Sequence, residues 1–328
     1  MDQTLAFSLD VMRLDAHVRA GVIKILNKLQ RELVALLAEQ DVSEFSRARA
    51  NRLIRQSNEA IARYYAEAQG DLFAATDGLA PVAAANARAS VQSLVPVSVA
   101  VVLPTAATID ALAGDALIMG STMKAWWAKQ EDDVAFRFAA AVRQGIVAAE
   151  TNQQIIRRVL AELDITRANA AGLVQTAVAQ VANDARQAVF AANADVVPRV
   201  KWLTALDGHV CPLCLPRADL QWETGTGKPI GHSIPFAQPP IHFNDRCVLV
   251  PQTRFSDLGG GQRASVDGPV DRKTTFADFL ERKGKAFQDD VLGPGRADLW
   301  RDGKITLQDL ISGNGRPLTL AQLRARHA

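Results

Sequence analysis

Residues 167–193 read "RANAAGLVQTAVAQVANDARQAVFAAN", and Thr166 stands directly before them. The stretch has no proline and is dominated by alanine, the strongest helix former. A threonine at its edge can cap a first turn. It reads as a long helix ending near Asn193, with small side chains that let neighbouring helices approach closely. From Val196 to Phe255 the texture changes. Pro and Gly become frequent, and all three cysteines of the chain fall there. What lies on each side of this boundary decides the fold.

Toward the N-terminus the pattern stays helical. Over residues 5–38, Val11, Leu14, Val18, Val22, Ile25, Leu29, Leu33 and Leu36 recur at helical spacing. Ser43 can cap a second helix to about Ala68, with Phe45, Leu53, Ile54, Ile61 and Tyr65 for burial. Gly70–Pro81 reads as a break. "SLVPVSVAVVLP" (93–104) is rich in β-branched residues and reads as a buried strand or extended segment. Ala89–Ile109 has no charge and is long enough to span a bilayer. Pro96, Pro104, Gln92 and its Ser and Thr residues argue against a span. Pro104 and Thr105 open a helix toward Trp126–Trp127. Residues 132–148 form another, acidic at its start, with Val134, Phe138, Val142 and Ile146 near one face. The two tryptophans are expected to pack a helix end into the core, with an interface role as the alternative.

The 328 residues suit two or three domains. A net charge of +2 does not advertise a nucleic-acid binder, and 6% aromatics favour packed helices over a β-sandwich. The N-terminus has no uninterrupted apolar run and reads as lacking a signal peptide. An odd number of cysteines makes no disulfide framework, which suits a reducing compartment. The expected class is mainly α, with a small loop-rich α+β module. The expected parts are an N-terminal helical region (1–110) and a helical core (111–195). A Cys/His module (196–255), a flexible linker (256–273) and a short-helix tail (274–328) follow. "RVKWLTAL" (199–206) and "RCVLVPQ" (246–252) read as the module's strands. In the tail, Thr275, Thr306 and Thr319 are plausible caps, and Gly293 and Gly313 plausible stops.

The cysteines give the sharpest chemical signal. Cys211, Cys214, His242 and Cys247 follow the spacing Cys-x2-Cys-x27-His-x4-Cys. Two thiolates of a Cys-x2-Cys knuckle converge on one ion, and a closed Cys3His set suits structural zinc. Asp245 is a rival fourth ligand, and His209 and His232 lie near in sequence. Idle thiols and a catalytic zinc with an open position are the alternatives. "DGHVCPLC" (207–214) and "HFND" (242–245) also supply the letters of an HNH-type metal nuclease, but in an order that fits poorly. "DLWRDGKITLQD" (298–309) imitates a calcium loop, with Trp300 where an oxygen ligand is needed. No phosphate-cradling Gly loop, Ser/His/Asp order or paired catalytic carboxylates stand out. No enzyme is expected.

"VKWLTALDGHVCPLCLPRADLQW" (200–222) and "FAQPPIHFNDRCVLVP" (236–251) resemble the phage head morphogenesis family, the Mu F-like minor head proteins of tailed phages. Trp202, Thr204, Asp207, Cys211, Cys214, Pro239, Pro240, His242, Arg246 and Cys247 match its signature. The resemblance runs loosely over residues 115–325 and is specific in the Cys/His module. Asp245 departs from it, standing where the family has the first cysteine of Cys-Arg-Cys. The resemblance implies a structural virion protein in few copies, in the head near the portal vertex and in the host cytoplasm during assembly. It implies the portal protein and/or the capsid protein as partners, with packaged DNA as a further contact and no membrane. Its implied role is head assembly, DNA packaging or DNA delivery. A nuclease, or a zinc-stapled adaptor for other proteins, are the alternatives.

Overall fold

The computed structural model describes residues 3–39, 47–96, 98–256 and 261–327. Its elements run α1 (Gln3–Ala38), α2 (Arg47–Gln92), α3 (Ala106–Gly114), β1 (Leu117–Ile118), β2 (Ser121–Thr122), α4 (Met123–Val147) and α5 (Asn152–Ala192). Next come β3 (Arg199–Leu203), β4 (Gln221–Glu223), β5 (Pro229–Ile230), β6 (Val248–Gln252), β7 (Gln262–Ser265) and β8 (Gly268–Asp271). The chain closes with α6 (Phe276–Glu281), α7 (Lys285–Leu292), α8 (Pro294–Arg301) and α9 (Leu320–Arg326). The protein is mainly α, with a small α+β module and a helical tail. No described helix is long and apolar enough to cross a membrane.

The chain divides into two compact units. One comprises Val11–Leu79 and Ala113–Val181. Here α1, α2, α4 and α5 share one core, built from Val22, Leu29 and Leu33, from Ile61, Tyr65 and Leu72, from Trp127, Val134, Phe138 and Val142, and from Val159 and Leu173. Trp127 is buried; its Nε1 donates to the Tyr65 carbonyl at 2.7 Å, and the two rings lie 5.6 Å apart. Trp126 Nε1 donates to Ile118 O at 2.6 Å, fastening the β1–β2 hairpin to the start of α4. That hairpin turns through Met119 and Gly120, both at positive φ, as a tight two-residue loop requires.

Several boundaries differ from expectation. α2 runs through Gly70 and Pro81 without a break. Proline removes one helical hydrogen bond, to the carbonyl four residues back. That carbonyl belongs to Asp77, which is exposed, so water can take the bond. Ala80, Ala83, Ala84 and Ala87, around Pro81 in the sequence, are buried. α4 starts at Met123, capped by Thr122, and carries Asp132 and Asp133 inside rather than at a start; Asp133 pairs with Lys129. α3 stops at Gly114 and does not reach the tryptophans. Thr166 lies within α5, its hydroxyl donating to Leu163 O at 2.9 Å. The start of α5 is marked instead by Thr151 and Gln154, whose side chains accept each other's backbone N–H. Ser43 and Phe45 lie outside the described residues.

The other unit comprises Met1–Asp10, Ala80–Leu112 and Ala182–Ala328. Among the described residues, the extended segment before α3 forms no strand. The Asn193 side chain holds it: its Oδ1 accepts from Val102 N at 2.8 Å and its Nδ2 donates to Val102 O at 2.9 Å. The module's sheet has the antiparallel order β5-β4-β3-β6, with Val200 opposite Trp222 and Leu203 opposite Val248. Trp202 and Trp222 are fully buried edge to face, 6.5 Å apart, and Trp222 also meets His232 and Phe236.

The expected linker is partly structured: β7 and β8 pair around Val266–Asp267, and Val266 N donates to Leu206 O at 3.0 Å. Residues 257–260 lie outside the described residues. The tail is no separate appendage. Phe276, Phe279, Leu280, Leu292, Leu310 and Leu323 share a core with Leu206, Leu215 and Ala218 of the module. That core supplies the apolar burial which a loop-rich stretch of this size lacks alone. Thr275 and Thr319 form capping boxes as expected. Gly293 ends α7 at positive φ.

Candidate metal centre

Pairing of β3 with β6 builds the site. The loop after β3 carries Cys211 and Cys214, and Cys247 precedes β6 directly. In the knuckle, Leu215 N donates to Cys211 O at 3.0 Å, and Cys214 N points at the Cys211 sulfur at 3.3 Å. The second half follows the cis Pro239–Pro240 bond and turns through Asn244 at φ 62°. His242 Nε2 lies 2.9 Å from Cys211 Sγ and 3.3 Å from Cys214 Sγ. Cys211, Cys214 and His242 form one group with all ligand atoms within 4.8 Å, and Cys214, Asp245 and Cys247 form a second. The five residues thus make one cluster, sharing Cys214, that can hold a metal ion.

The donor chemistry fits such an ion. His242 Nδ1 lies 2.8 Å from the Phe243 carbonyl. A carbonyl can only accept, so Nδ1 carries a proton, and it is Nε2 that faces the cysteines and would offer its lone pair to an ion when the ring is neutral. Asp245 is buried and busy: Oδ1 accepts from Cys247 N and Oδ2 from Ile241 N, each at 2.9 Å. It also lies 3.5 Å from Cys214 Sγ. Asp245 therefore shapes the loop that presents His242 and Cys247, beyond any part it takes as a ligand.

Without a cation the cluster resists ionisation. The neighbouring Cys214 sulfur and then burial push the Cys211 thiol up. At Cys214 the bond from Cys211 favours the thiolate, but Cys247, burial and Asp245 outweigh it and raise the thiol. Burial raises Cys247. Burial opposes the imidazolium of His242, yet the Phe243 carbonyl, Cys211 and Asp245 together lift it. A divalent ion reverses this balance, displacing protons as it binds.

An ion pair spans the two halves. Arg246 Nη1 meets Asp207 Oδ2 at 2.7 Å, and Arg246 Nη2 also reaches His209 O at 3.3 Å. Of the other sequence candidates, His209 is exposed and belongs to neither group. His232 Nε2 lies 2.8 Å from Gln221 O, and its Nδ1 accepts from Ile234 N at 3.2 Å, so both ring nitrogens serve the sheet. In the calcium-like stretch, Asp298 pairs with Arg301 and Asp309 accepts from Thr306 N and Oγ1, each at 2.7 Å. Arg217, three residues past Cys214, is a buried neighbour of the cluster that spacing alone did not single out.

Comparison with protein-family models, curated proteins and solved structures finds no match to this chain.

Proposed function

We propose that the chain is a minor head protein of a tailed phage, associated with the portal vertex and serving head assembly, DNA packaging or DNA delivery. Its part is structural, and its partners are the portal protein and/or the capsid protein. The observation that carries the reading is convergence. Asp207, Cys211, Cys214, His242, Arg246 and Cys247, six residues of the signature it resembles, gather in one place and brace one another. In this reading Cys211, Cys214, His242 and Cys247 bind zinc as a closed staple, which suits three sulfurs and an imidazole. The staple joins the loop after β3 to the loop before β6 and supports folding without doing chemistry.

The test is to purify heads of the phage that carries the chain and locate it by mass spectrometry and density mapping. Presence in low copy beside the portal is expected; absence from heads overturns the reading. Elemental analysis should give about one zinc per chain. Metal-dependent DNA cleavage, abolished by His242→Ala in a protein that still folds, would replace the structural reading with the nuclease one.

A further inference from the structure

Arg217 ends the short 3-10 turn Leu215–Arg217 that follows the cysteine knuckle. It is 6% exposed. Its Nη1 donates to Leu213 O at 2.5 Å, and its Nε finds no hydrogen-bond partner. Among the described residues no carboxylate forms an ion pair with it, unlike Arg246 with Asp207 or Arg263 with Asp219. A buried, permanently charged guanidinium lacking a counter-ion is costly. The backbone N–H of Arg217 donates to Cys214 O at 3.0 Å and its Nη1 meets the Leu213 carbonyl inside the knuckle, which sets it against the cysteines. Burial opposes its charge, and Cys214, Cys211, Asp245 and Cys247 favour it. Those are members of the metal cluster.

The charge of the loaded centre supplies what Arg217 lacks. A divalent ion held by three thiolates and a neutral imidazole keeps one net negative charge, and burying it calls for a nearby cation. The tail closes the other side of the guanidinium. Arg217 Nη2 lies 2.7 Å from where a Cβ on Gly315 would sit, so the Gly315 turn packs directly on it. Water excluded there cannot screen the field between the two charges.

We infer that Arg217 is the buried counter-charge of a metal–thiolate centre and sets how tightly that centre holds its ion. It is a positioning residue acting through electrostatics and touches no metal. The inference rests on the reading that the cluster binds a divalent metal, and the experiment separates the two. Zinc affinity of the full chain is measured by competition with a chromophoric chelator, for wild type, Arg217→Met, Arg217→Gln and Arg217→Lys. Circular dichroism follows the fold with and without zinc. Arg217→Met and Arg217→Gln should bind zinc about 10- to 100-fold more weakly, the usual effect of losing an outer-shell partner, while Arg217→Lys stays closer to wild type. Should Arg217→Met fail to fold, Arg217→Gln against Arg217→Lys decides. Equal affinity in all variants, or an equal loss in Arg217→Lys, overturns the counter-charge. A wild-type chain that takes up no zinc overturns the metal reading itself.

Discussion

The Asp219 carboxylate and the Arg263 guanidinium form a buried ion pair, Nη1 to Oδ1 at 2.8 Å, with side chains 13% and 7% exposed. Asp219 Oδ2 also accepts from Phe276 N at 2.6 Å, and Arg263 donates further to Thr204 O and Thr274 O. One carboxylate thus pins both the β7–β8 hairpin and the first tail helix to the module. Asp219→Ala leaves Arg263 buried and unpaired, at an expected cost of about 3–5 kcal/mol in chemical denaturation. Adding Arg263→Met should recover part of that loss. A single-variant loss no larger than that of a surface substitution would show the pair to be dispensable.

Gly145 lies where α4 meets the start of α5. A Cβ there would come within 2.4 Å of Ile155 Cγ1 and 3.0 Å of Glu150 Oε2. Gly145→Ala should therefore destabilise by about 1–3 kcal/mol through overpacking, despite the better helix propensity of alanine. Ile155→Ala, which removes both Cγ1 and Cδ1, should cost less in the Gly145→Ala background than alone. A rise in melting temperature for Gly145→Ala alone would contradict the close approach.

Asp207 has a pH signature. Burial pushes its carboxyl up, but Arg246 and the His209 N–H outweigh burial and hold it below the ordinary value. A depressed carboxylate contributes stability above its unfolded pKa, about 3.9, and loses it as pH falls through the folded value. Wild type should exceed Asp207→Asn in denaturant midpoint at about pH 7, and the gap should shrink as pH falls below the ordinary carboxylate value of about 3.9. A gap that persists in acid would assign the effect to shape rather than charge.

Asp245 and Cys247 are separable by substitution. Asp245→Asn keeps one oxygen acceptor but strands one buried N–H, of Ile241 or Cys247, costing about 1–3 kcal/mol. Metal stoichiometry should survive it. Cys247→Ser should instead weaken cobalt(II) binding and diminish the thiolate-to-metal absorption. The reverse order would make Asp245 the ligand and Cys247 its neighbour.

The fold was readable where burial and periodicity coincide. Val22, Leu29, Ile61, Phe138 and Val142 entered the core as their spacing predicts. Breakers mislead where their cost is small: Pro81 sits on an exposed face of α2, where water can take the lost hydrogen bond. The true start of α5 was present as the Thr151-x-x-Gln154 box, and the hairpin in the supposed linker as the Asp267-Gly268 turn signal. Spacing brought Cys211, Cys214, His242 and Cys247 together on paper, and the structure brings them together in space. Arg217 was not readable, because its meaning lies in the absence of a carboxylate and in the Gly315 turn, far away in sequence, that covers it.

The order in which the chain leaves the ribosome gives the Asn193–Val102 clasp a temporal meaning. Those residues are 91 apart, and their unit gathers three separate stretches, the last running to the C-terminal end. Every residue of the other unit has been synthesised once Val181 is added. The helical unit can thus begin folding during translation, while Val102 waits for a partner not yet made. Contacts closed over such separations form slowly. A released chain truncated between Val181 and Asn193 should be protease-resistant in its helices and still open at the segment before α3.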